Sequence, residues 1–218
     1  MAAGRKRGHR AKGALATEVV FHKVLQEILA QTRAEGFKKF LKELLLELCQ
    51  VNTTPNPAVA KMGAAEDACF RILERELRGF THTGAKLERR AINPGIAAHA
   101  NFSLLHFTKT ATRPEGLRAE EAYAGRSNLV YLVPGTTGNA GGRSVAVNAH
   151  VDVVAPYFAP STRGSVVFGR GACDDKGPVV GIVAALKVLS VHGDTELVTV
   201  KDSENTVRIW VDSKNVAD

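Results

Sequence analysis

One stretch of the chain admits few folds. Residues 178–190, PVVGIVAALKVLS, are small or branched and almost wholly apolar, which suits a helix covered on most sides, with Pro178 tolerated in its first turn. Ahead of it, Ser144 to Val154 reads SVAVNAHVDVV, an apolar β-type run. Strands followed by a covering helix predict an α/β domain. Ser103 to Phe107 and Asn128 to Val133 supply further strands, and PGTTGNAGG forms the turn between Val133 and Ser144.

Three amphipathic patterns precede the strands. Thr17 is placed to cap a helix in which Val20, Val24, Leu25 and Ile28 recur at helical spacing, and Gly36 interrupts it. A second run carries Phe37, Phe40, Leu41, Leu44, Leu45 and Leu48 and stops at NTTPNP, residues 52–57. In a third, Ala64 to Leu77, residues Ala65, Cys69, Ile72, Leu73 and Leu77 share one face and Glu66, Arg71 and Glu74 the other. His22 is a surface or satisfied histidine on this reading. Residues 82–101 and 110–127 carry no legible pattern. The predicted architecture has three layers, a mostly parallel or mixed sheet with helices on both faces.

Charge discriminates among function classes. The formal net charge is +7, but Arg5, Lys6, Arg7, Arg10 and Lys12 all precede Glu18, the first acid, so 7 less 5 leaves only +2 for the rest. Residues 1–16 read as a basic disordered tail, and residues 17–218 as the folded unit. The tail is able to contact phosphates, yet no nucleic-acid-binding motif follows it; a mitochondrial presequence is a second alternative, short of serines. Cys49, Cys69 and Cys173 are odd in number and lack metal-type spacing, so neither a disulfide framework nor a cysteine zinc site is indicated. No apolar run reaches the roughly 18 residues of a membrane span. The expectation is a cytoplasmic protein without membrane contact.

Two segments carry chemistry. Strand side chains alternate, so His150 and Asp152 in NAHVD project on one face at the end of a strand, where open α/β sheets form their ligand crevices. A neutral imidazole ligates zinc, and a nearby carboxylate fixes its tautomer. An edge-of-sheet histidine with a hydrogen-bond partner satisfies the same pattern. In GRGACDDKG, Gly169, Gly171 and Gly177 surround Asp174, Asp175 and Lys176. Adjacent aspartates repel unless a divalent ion, or Arg170 and Lys176, balances them. A solvated polar loop is the competing account.

Together the segments resemble the two-zinc amidohydrolase family of acetylornithine deacetylase, succinyl-diaminopimelate desuccinylase, aminoacylase, carnosine-type dipeptidase and glutamate carboxypeptidase. That family carries His-x-Asp at a strand end, then Gly-Arg-Gly-x-x-Asp-x-Lys-Gly leading into a helix; here HVD and GRGACDDKG follow in that order, with Asp174 lying 24 positions after His150 (174 less 150). LLLELCQVNTTPNP is similar to the family's first helix and Thr-Pro loop. The likeness covers about residues 36–204 and is strongest over 128–190. It implies a zinc-peptidase-like domain in which His150 ligates one metal, Asp174 bridges two, and Asp152 orients the imidazole, while Asp175 occupies a variable place. It further implies zinc, with cobalt or manganese as alternatives, and hydrolysis of amide bonds in N-acyl amino acids or small peptides.

After the helix the family has a strand ending in a Glu-Glu pair, general base then ligand. ELVTVKDSENTV stands there, with Glu204 as the candidate base and Asn205, a poor ligand, beside it. The further acidic and histidine ligands and the lid domain have no match, so residues 17–218 read as a C-terminally incomplete catalytic domain. His192, Asp194, Asp202 and Asp212 are conceivable substitutes. Three functions follow: a metallohydrolase, alone or with a partner chain; a catalytically dead homologue binding a ligand or subunit; and a nucleic-acid binder acting through its tail. An incomplete sheet also predicts self-association.

Overall fold

The computed structural model describes residues 22–82, 84–102, 108–134 and 144–192, and the backbone of Thr206–Asp212. Helical residues 22–33 (α1) break at Ala34, whose backbone is extended, and α2 runs Glu35–Gln50. The break falls two residues before Gly36, where the sequence put it. Gly36 enters the first turn of α2 beside Glu35, an acid well placed at a helix N-terminus and paired with Lys38 at 2.7 Å. Thr17, the tail and the 103–107 strand lie outside the described residues.

Helix α3 spans Val59–Arg78 and starts earlier than the apolar pattern suggests, because Asn56 Oδ1 accepts from the Ala58 N–H at 2.9 Å and turns the chain into it. Glu66 is not on the outer face. It lies inward with Met62, Cys69 and Phe70, where Arg126 Nε donates to its Oε2 at 2.8 Å.

The sheet is mixed. Among the described residues its order is β1-β2-β6-β3, with β1 Lys86–Ala91, β2 Ser127–Val133, β3 Ser144–His150 and β6 Thr206–Asp212. Strands β1/β2 and β2/β6 pair antiparallel and β3/β6 parallel. Strand β1 falls in a region where the sequence offered no pattern: KLERRA carries four charges, tolerable because the strand is at an edge, and Arg89 is held by Glu74 at 2.6 Å. β4 Ser161–Arg163 and β5 Val166–Phe168 form a separate hairpin with Gly164 at φ +60°, and both strands are too short to show alternation in the sequence.

Helix α4 is a single turn, Ala119–Ala122, and helix α5, Lys176–His192, follows the glycine-rich loop, as the apolar run predicts. One core joins Leu44 and Leu48 of α2, Phe70, Leu73 and Leu77 of α3, Leu129 and Tyr131 of β2, Ala149 of β3, and Val179, Val183 and Leu186 of α5. The expected α/β class, a mixed sheet with packed helices, is the class observed. The core sits under the C-terminal end of β3, so the residues leaving that strand start from rigid ground.

Candidate metal site

Strand β3 stops at His150, four residues before the apolar run ends. Beyond it the chain leaves β6 and docks on the 52–54 loop: Thr53 Oγ1 donates to the Val151 carbonyl at 2.6 Å, and the Val153 N–H donates to the Thr53 carbonyl at 3.3 Å. Val151 and Val153 are buried. The imidazole and Asp152 are thereby presented at a strand end locked to the loop that follows helix α2.

The exit of α2 is unusually well satisfied. A helix leaves its last carbonyls without intrahelical partners. Here Lys176 Nζ donates to Leu48 O at 2.9 Å and Val51 O at 2.8 Å, and Tyr157 Oη donates to Cys49 O and Gln50 O, each at 3.0 Å. Lys176 is fully buried, and burial pushes its ammonium below the ordinary lysine range. A cation at a helix C-terminus also complements the helix dipole.

The glycine loop is packed against this anchor. Gly171 has φ +90°, and a Cβ there would lie 2.8 Å from Val153 Cγ1; a Cβ on Gly177 would lie 2.5 Å from the Ala172 carbonyl oxygen. Only glycine fits at either position. The Asp174–Asp175 peptide is cis.

Three side chains converge there. His150 Nδ1 lies 2.9 Å from the Asp152 backbone carbonyl and 3.2 Å from Asp152 Oδ1. A carbonyl oxygen only accepts, so Nδ1 carries the hydrogen and Nε2 is left to face outward. Nε2 lies 3.3 Å from Asp174 Oδ1. Two electron-rich atoms so placed require a cation or a proton between them. Donors about 2.0–2.1 Å from one tetrahedral zinc stand about 3.3 Å apart, so the separation fits a shared ion. Asp174 is 84% exposed whereas His150 is 25% exposed, which puts the pair at the surface and open to a ligand.

The expected role of Asp152 is refined, since its backbone oxygen, not its carboxylate, makes the shorter contact to the ring. Of the two ways of balancing the aspartates, a divalent ion or Arg170 with Lys176, the second is not the one the fold uses. Lys176 turns inward to α2, and Arg170 donates from Nε to Pro156 O at 2.9 Å and stacks 5.0 Å over the Phe158 ring. Their preference is physical: buried carbonyls and an aromatic face offer more than a solvated carboxylate. Glu204 lies outside the described residues. The β6 register runs from Thr206 opposite Ser144 to Asp212 opposite His150, so Asp212 reaches the same sheet end as the imidazole. Among the described residues no group of three or more His, Cys, Asp and Glu side chains is placed to hold a metal ion.

Residues 146–204 match the sequence profile of peptidase family M20/M25/M40. Two curated relatives agree over the same kind of span: a [LysW]-lysine/[LysW]-ornithine hydrolase of Saccharolobus islandicus is 35% identical over 63 residues, and a putative enzyme of the same description from Pyrobaculum aerophilum is 38% identical over 66.

Over this segment the chain is similar to the M20/M25/M40 peptidases.

The M20 match includes His150, Asp152, Asp174 and Asp175. In fold the chain is similar to human carnosine dipeptidase 1, with a TM-score of 0.54 at 13% identity, over 88% of this chain and 34% of that one. Only 18% of the Saccharolobus relative and 19% of the Pyrobaculum relative is spanned. No helix among the described residues is long and apolar enough to cross a membrane. Sequence reasoning left Asp175 as a variable position; its side chain accepts the His150 N–H at 3.1 Å, a contact that no spacing rule reveals.

Proposed function

We propose that the chain contributes to a metal-dependent hydrolase of amide bonds in N-acyl amino acids or small peptides, with His150 and Asp174 as ligands of zinc, cobalt or manganese. The observation that carries this reading is the 3.3 Å approach of His150 Nε2 to Asp174 Oδ1 with Nδ1 already occupied by Asp152. Such a metal, when bound, supplies Lewis acidity to an amide carbonyl and makes water acidic near neutrality. Asp152 holds the ring so that Nε2 keeps its lone pair. Asp174, fixed by a glycine-braced backbone and exposed, offers its carboxylate to one ion or to two. Glu204 is the proposed acceptor of the attacking water's proton and its donor to the leaving nitrogen. Asp212, level with His150 in the β6 register, is a candidate for one of the missing ligands.

A second reading, a catalytically dead homologue that binds a ligand or a subunit, is favoured by the incomplete ligand set among the described residues. One assay separates them. The metal-loaded chain is incubated with N-acetyl amino acids and dipeptides, with and without chelator. Chelator-sensitive hydrolysis that disappears in His150→Ala supports the enzyme; no turnover, with less than about one zinc per chain, supports the relic.

A further inference from the structure

We propose that Asp175 is the positioning residue of the site, holding His150 and Asp174 at their mutual distance without itself serving as a ligand; the metal-binding part of this claim rests on the reading above. Asp175 is bound on two sides. Its Oδ2 accepts from the backbone N–H of His150, the last residue of β3, at 3.1 Å, and its own carbonyl accepts from the Val179 N–H at 3.0 Å in the first turn of α5. One residue thus fastens the end of the histidine strand to the start of the helix. Lys176, the next residue, is anchored in turn on Leu48 and Val51 at the end of α2.

Among the described residues Asp174 has no comparable hold of its own. Its side chain is 84% exposed, so its place relative to the imidazole is set by its backbone, and the backbone is set by Asp175. Asp175 Oδ2 stands 3.9 Å from His150 Nε2, beyond hydrogen-bonding reach, so it does not compete with Asp174 for the ring. Groups that orient metal ligands in this way typically govern affinity by about 10–100-fold.

The test compares Asp175→Ala, Asp175→Asn and Asp175→Ser in the full chain by zinc titration calorimetry and by nitrogen NMR of the His150 ring in the metal-free protein, assigned with His150→Gln. Asparagine retains an acceptor oxygen for the His150 N–H, whereas serine keeps a helix-capping residue but shortens the reach, covering the case in which the alanine variant does not fold. Alanine and serine are expected to weaken zinc binding about 10–100-fold and to blur the single-tautomer ring signature, while asparagine restores both. Wild-type affinity and spectra in the alanine or serine variant overturn the proposal. So does an asparagine variant as defective as these two, since charge rather than the hydrogen bond would then be responsible. Should the wild type take up no zinc, the hydrolase reading fails, and the ring spectra alone decide whether Asp175 positions His150.

Discussion

Lys176 shows how a residue's role depends on what surrounds it. In the sequence it stands beside two aspartates and reads as their counter-ion; in the fold its ammonium closes the end of a helix 128 positions away. Lys176→Met is therefore predicted to leave two carbonyls unsatisfied and to cost about 3 kcal/mol, read from urea midpoints, with a loss below about 0.5 kcal/mol contradicting the anchor role. Cys69 gives a pH test. Burial pushes its thiol from 9.0 up to about 11. Between those values the unfolded chain has lost this proton and the folded chain retains it, so the contribution is complete below pH 9 and disappears as pH rises toward 11. At about 1.4 kcal/mol per pKa unit, wild type should lose on the order of 2 kcal/mol relative to Cys69→Ala between pH 8 and pH 11. Parallel stability curves for the two proteins would refute it.

At the scale of elements, Glu66 and Arg126 tie α3 to the start of β2. Both are buried, at 3% and 6% exposed. Breaking such a pair strands a charge, so Glu66→Ala is predicted to cost about 3–5 kcal/mol, whereas Glu66→Leu with Arg126→Met should be far milder in the same thermal melts. A double variant as damaged as the single would show that the charges themselves are needed. What the sequence disclosed follows the same logic. Helices α2 and α3 were legible because their apolar positions repeat at helical spacing, and α5, β2 and β3 because near-continuous apolar runs of those lengths need burial. The approach of His150 to Asp174 was legible because alternation fixes where His150 points and dense glycine marks a constrained loop. Strand β1 was not, having Leu87 as its one large apolar residue, and neither was the burial of Glu66, which depends on a partner 60 positions away. Asp175 was illegible because its bond is to a backbone atom, which residue identity does not encode.

For the whole molecule, the sheet is the exposed quantity. Strand β3 is an edge among the described strands; Ser144 to Ala149 bear no charge, and Val145 and Val147 are 51% and 40% exposed. An uncharged apolar edge invites pairing with another strand. Light scattering is predicted to find self-association in the wild type that Val145→Lys reduces; a monodisperse wild-type monomer would contradict this. The deciding question is whether His150 and Asp174 share a cation. Zinc titration calorimetry of wild type beside Asp174→Ala tests it most directly. Tight zinc binding by the wild type that is abolished by the substitution is the predicted result, and equal zinc uptake by the two proteins would contradict it.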